Sequence, residues 1–409
     1  MKKYLALLTM AATMLMFSCT EDEDPTPGTS EPTEQDNIVV TENITADETW
    51  TSGNIYILAG RISVESGATL TIEPGVIVKG EAGTGANATA LVVARGATLN
   101  ANGTAEEPII FTSAADRIEP GQNVSPNLDE SISGLWGGVI ILGNAPISAK
   151  NDATEIQIEG IPTTDINGLY GGSDPADNSG TITYISIRHG GTNIGEGNEI
   201  NGLTLGGVGS GTTISNVEVV ANADDGIEWF GGTVDVSGVL IWNSNDDGLD
   251  TDQDWQGTCS DFVIVTPQGG SAFELDGPEG TGKVNGDMGY HTFNNGVVYA
   301  GDVIDHVVDW DDNTNAVLIN MHFFGLDAGY LADFAETKPI ESFNGDAAGT
   351  STAWEVIYPS DATVTLSEAF GDAAAAITEE VTTRSNGPAA ADFAWTWAGE
   401  SGALNAIGL

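Results

Sequence analysis

Three segments of this chain align with one another at an interval of about 22 to 24 residues: ADDGIEWFGGT (223–233), NDDGLDTDQDWQGT (245–258) and GGSAFELDGPEGT (269–281). Val- and Ile-rich runs lie between them, ISNVEVV (214–220), VDVSGVLIW (234–242) and DFVIV (261–265), and TITYISIRH (181–189) precedes them. A second, shorter echo links GATLTIEPG (67–75) with GATLNANGT (96–104). A repeat this short excludes most repeat folds. Helical repeats and propeller blades need more residues per unit, and no window carries an apolar stripe at helical spacing. Short β-branched strands bounded by Gly, Asn and Asp fit an all-β solenoid, one coil per repeat, with Val, Ile and Leu stacked in internal columns.

The ends differ from this body. Residues 1–18 read as an export signal, with Lys2 and Lys3 before an apolar run from Tyr4 to Phe17 and then small Ser18. The run is short for a membrane span. Cys19 follows directly, as in bacterial lipoprotein signals, where that cysteine becomes the lipidated first residue. TEDEDPTPGTSEPTEQD (20–36) has no apolar residue to build a core, so residues 19–44 are expected to form a disordered tether. The acidic run Glu21–Asp24 after Cys19 resembles the surface-export signal of Bacteroidota lipoproteins. That resemblance implies a protein held on the outer membrane by lipid and facing the cell exterior.

Charge narrows the partners. The chain has 11 Lys and Arg against 60 Asp and Glu, a formal charge of −49. Such a surface argues against nucleic acid and anionic membranes as ligands. It suits divalent cations, neutral ligands, or solubility alone. Cys259 is the one cysteine besides Cys19, so with Cys19 acylated no intrachain disulfide forms and the fold rests on its core.

TIEPGVIVKG (71–80), GTAEEPIIFTSA (103–114), GLWGGVIILGNAPI (134–147), DNSGTITYISIRHGG (177–191), DDGIEWFGGTV (224–234) and FELDGPEG (273–280) resemble the right-handed parallel β-helix surface lipoproteins of Bacteroidota and related marine bacteria. The resemblance implies a right-handed parallel β-helix over residues 45–335. It implies little about activity, because these relatives mostly lack an assigned one. The fold is shared with pectate lyases and polygalacturonases. Segments 116–133 and 160–178 interrupt the coils and read as loops able to wall a cleft along one face. Residues 336–409 are Ala-rich and are expected to cap the C-terminal end or pack along the side.

The aligned repeats place Glu228, Asp250 and Glu274 at equivalent positions on successive coils. Adjacent strands lie about 4.7–4.9 Å apart, so the three carboxylates would form a ladder whose like charges repel. Two forms of relief exist. A hard cation such as Ca²⁺ can take several of the oxygens, or a carboxyl can keep its proton. Asp246, Asp247, Asp250, Asp252 and Asp254 crowd one repeat without a basic residue among them, and form the expected metal set. Asp250, Asp252 and Asp254 have the D-x-D-x-D spacing of a helical Ca²⁺ loop, but Trp255 stands where that loop needs Gly. The pairs Asp224–Asp225 and Asp246–Asp247, each followed by Gly, also suit plain turns.

Trp229, Trp242 and Trp255 fall beside these acids. Aromatic faces next to carboxylates make sugar sites, which marks them as candidate ligand contacts; packing is the plainer account. Two functions stand side by side. One is a surface β-helix lipoprotein that binds an extracellular ligand, a glycan first among them, with Ca²⁺ at its acidic turns and an outer-membrane uptake system as a possible partner. The other is a glycoside hydrolase or polysaccharide lyase using two of Glu228, Asp250 and Glu274. The scarcity of basic residues favours the first. Arg188–His189–Gly190–Gly191 shares a His–Gly pair with polygalacturonases, and the four histidines are too dispersed for a zinc cluster.

Overall fold

The computed structural model describes residues 37–194, 199–265, 270–281, 290–301, 306–310, 314–326, 328–329 and 351–409. Cys19, the expected export segment and most of the expected tether lie outside the described residues. Strands dominate, and every strand pair but one short hairpin (Ile156–Gln157 with Leu169–Tyr170) is parallel. Strand pairing extends ahead of the expected boundary at 45. Asn37–Val40 pairs with Ile55–Leu58, and Ile44 is buried against Val64, because Ile38, Val39, Val40 and Ile44 supply apolar side chains.

Each central coil contributes one strand of two to four residues to an eight-stranded sheet and one longer strand to a second, bent sheet. The bend has a single cause. Tyr184, Asn216, Gly238, Asp261, Asn295, Asn320 and Ala353 all have φ between 50° and 68°, and strand pairing sets them one above the next. One left-handed residue per coil turns the strand through a corner. Asn, Asp and Gly tolerate that conformation best, and they fill five of the seven positions. Each central coil therefore has three sides: the eight-stranded sheet and the two arms of the bent one. Through the acidic repeats the coil length is 22 to 24 residues.

Alternation follows the pleat. Ile227, Trp229, Leu249, Phe273 and Leu275 point into one continuous core with Val217, Val239 and Phe262 of the bent sheet. The C-terminal region packs in two ways. Helix Leu366–Ala375, with a Thr365–Glu368 capping box, adds Ala369, Phe370 and Ala374 to the core. Farther on, Phe393, Trp397 and Leu404 lie along the side, over Val220, Leu240, Trp242 and Val263 of the bent sheet. The two long insertions do not share a face. Residues 116–133 cover the bent sheet, where Ile118 packs on Ile55, Ile77 and Ile110. Residues 143–178 cover the eight-stranded sheet, where Ile158, Ile161 and Tyr170 pack on Ala90, Val92 and Ile140.

Candidate functional site

The outward face of the eight-stranded sheet changes character along the solenoid. One column reads Val92, Ile140, Thr204, Glu228, Asp250, Glu274, Asp309. The expected register of Glu228, Asp250 and Glu274 is therefore the observed one. The insertion 143–178 shelters the apolar half and reaches the acidic half. Glu159 comes from it, and burial raises the pKa of its carboxyl.

A second column runs alongside: Asn201, Asp225, Asp247, Ser271. Asp225 accepts the backbone N–H of Asp247 at 2.8 Å, and Asp247 in turn accepts that of Ser271. The Asp-Asp-Gly turns thus staple each coil to the next. Between the columns, oxygens of Asp225, Glu228 and Asp250 lie within 4.8 Å of one another, and all three residues are buried. Among the described residues none of the three forms an ion pair. Asn201 donates its amide N–H to Glu228. Among the described residues the amide oxygen of Asn201 and Oδ1 of Asp250 are buried without a hydrogen-bond partner. A second, more open group joins Asp224, Asp225 and Asp246.

Electrostatics follow from this crowding. Burial, with Asp250 and Asp224 nearby, holds the Asp225 carboxyl well above the usual range. Burial and Asp225 do the same to Glu228, and burial and Glu228 to Asp250. Glu274 is pushed up to about 9 by burial and by Asp247, and Asp224 to about 7 by burial and Glu159. Asp252, held up to about 7 chiefly by burial, lies two residues beyond Asp250.

A family model described as a pectate-lyase-like β-helix domain matches residues 42–399. The chain belongs to the pectate-lyase-like β-helix family. No curated protein and no solved structure matches the chain. Within this β-helix family member the predicted metal set divides. Asp250 joins the buried triad, Asp246 joins the open group, and Asp247 acts as a staple. Asp254 turns away in a left-handed turn, where it accepts from Gln256 at 2.6 Å.

The three tryptophans are not placed as sugar platforms. Trp229 and Trp255 are 0% and 1% exposed and stack on each other inside the solenoid at 4.5 Å. Trp242 lies beneath the C-terminal segment, edge-on to Trp397 at 5.8 Å. Arg188 and His189 are also closed off, at 0% exposure. The residues missed in the sequence are Asp225, taken there for a turn residue, together with Asn201 and Glu159. Asp225 carried a readable signal, since it repeats at Asp247. Glu159 carried none, because only folding brings it across.

Proposed function

We propose that this protein is a surface-displayed β-helix that holds extracellular carbohydrate, with Ca²⁺ seated among Asp225, Glu228 and Asp250. One observation supports the cation: three buried carboxylates within reach of one another, without ion pairs, beside the unpartnered oxygens of Asp250 and Asn201. Leaving an ionised carboxylate unpaired in a protein interior costs several kcal/mol. Three carboxylates and an amide oxygen make a hard-oxygen ligand set suited to Ca²⁺. The carbohydrate part is supported by membership of a pectate-lyase-like family, and display by Cys19 and its acidic tether. An outer-membrane uptake system is the partner this location suggests.

A hydrolase is the second reading. Glu228 and Asp250 stand on adjacent strands, about 4.8 Å apart, near the carboxylate separation of retaining enzymes. Against it, both carboxyls are raised, and a nucleophile must be ionised.

Thermal unfolding separates the two. A ligand at a hundred times its dissociation constant stabilises the folded state by about 2.7 kcal/mol. Ca²⁺ is expected to raise Tm beyond a Mg²⁺ control of equal ionic strength, with Asp250→Asn removing most of the difference. No shift beyond that control would end the cation reading. Release of reducing ends from neutral polysaccharides, abolished by Glu228→Gln, would establish the hydrolase instead.

A further inference from the structure

The corner column has one gap. Asn216 precedes it and Asp261 follows it, but Gly238 places no side chain there. The C-terminal segment crosses the same corner. It is tied down farther along the corner: Gly387 donates its backbone N–H to the side chain of Asn295 at 2.8 Å, and Asn386 donates to the backbone carbonyl of Ala353 at 2.6 Å. At Gly238 it stands off, leaving a cleft of about 530 Å³. That is within the range of about 300–1,000 Å³ common for small-molecule sites.

The walls define the chemistry. Asn216, Ser237, Asp261 and Asp392 line the cleft with amide, hydroxyl and carboxylate groups, and Ala389 and Phe393 supply an apolar side. Asn295 donates to Asp261 at 2.6 Å, which orients that carboxylate. The amide of Asn216 has only a contact at the limit of hydrogen bonding, 3.5 Å to Ser215. No Lys, Arg or His lines the cleft. Two carboxylates repel an anionic ligand, whereas an amide beside carboxylates suits paired hydroxyl groups that both donate and accept.

We propose that the Gly238 cleft binds a short neutral saccharide, held between the corner column and the C-terminal segment. The inference rests on the carbohydrate reading above but not on the cation. It gives that reading a contact surface which the buried tryptophans do not provide.

Gly238→Asn is the decisive variant, because it completes the column in a conformation that Asn tolerates. An added Cβ would meet the amide oxygen of Asn216 at 2.8 Å, the end of a flexible side chain, and the backbone N and Cα of Asn216 at 3.3 and 3.4 Å. The test is calorimetric titration of the full chain in Ca²⁺ buffer with laminarihexaose, cellohexaose and mannohexaose, and with oligogalacturonate as the anionic probe. At least one neutral probe is expected to bind and oligogalacturonate to fail. Gly238→Asn is expected to weaken binding about tenfold or more while circular dichroism and cooperative unfolding still report the folded coils. Asn216→Ala, which leaves the cleft open, should weaken it severalfold. Asp250→Asn should leave saccharide binding intact while removing the Ca²⁺ shift. Binding that survives Gly238→Asn, or that is lost only with Asp250→Asn, overturns this site and leaves the proposed function standing. Binding of none of the neutral probes overturns both the site and the carbohydrate reading.

Discussion

Glu218 accepts the backbone N–H groups of Trp397 and Ala398, at 3.1 and 3.0 Å, so a buried carboxylate of the bent sheet fastens the C-terminal segment. Arg188 lies 3.6 Å away, wholly buried, bonded to Asn123 and positioned over the Trp397 ring. Ser186 bridges the pair. Removing one partner strands the other charge. Glu218→Ala should therefore destabilise by about 3–5 kcal/mol and expose residues 387–409 to protease before the coils are cut. A Tm within a degree of the parent would show that the segment is held by its apolar contacts alone.

Trp229→Ala or Trp255→Ala should cost about 3–5 kcal/mol each, as for other large core truncations, because each ring stacks on the other inside the core. Chemical denaturation measures this directly. A surface ligand contact would cost little stability, so a near-neutral result would return these rings to the ligand.

The pH profile has a definite sign. Asp224 and Asp252 are held up to about 7 and Glu274 up to about 9, against about 4 in an unfolded chain. The folded state thus binds more protons than the unfolded state between those values. With chelator present, the contribution of these three groups to stability should be full below about pH 4 and be lost as pH rises through 7 and towards 9. Asp225, Glu228 and Asp250 are held up as well, so protons and Ca²⁺ compete for the oxygens of the triad. The Tm gain from Ca²⁺ should grow with pH and shrink on acidification. A gain independent of pH from 5 to 9 would place the cation elsewhere.

Cys19→Ala should release the protein from the membrane fraction. Replacing Glu21–Asp24 with Ala should keep the lipid while reducing cleavage by protease added to intact cells. A Cys19→Ala protein that still sediments with membranes would rule out lipid as the anchor.

The carboxylate register was legible because it depends only on spacing. Glu228, Asp250 and Glu274 recur one coil apart, and parallel pairing keeps equal positions side by side. The tryptophans were misread for a reason also in the sequence. Neighbours on a strand point to opposite faces, so Glu228 and Trp229 cannot both face one ligand. Trp255 sits in a turn after two left-handed residues, Gln253 and Asp254, where strand alternation gives no guide. The cover over Trp242 depends on contacts between positions more than 150 residues apart in the chain, Trp242 with Trp397 among them. No local pattern encodes such contacts.

The corner column also constrains how this chain can change over evolutionary time. Asp261 and Asn295 meet across adjacent coils although 34 residues separate them, whereas Asp225 and Asp247 do so across 22. The strands on either side of the added length still meet in step. A coil of this kind has a fixed frame and a free outline. Insertions and deletions can lengthen or trim its rims without re-threading the core, so new binding surfaces can be added one coil at a time while the scaffold keeps its register.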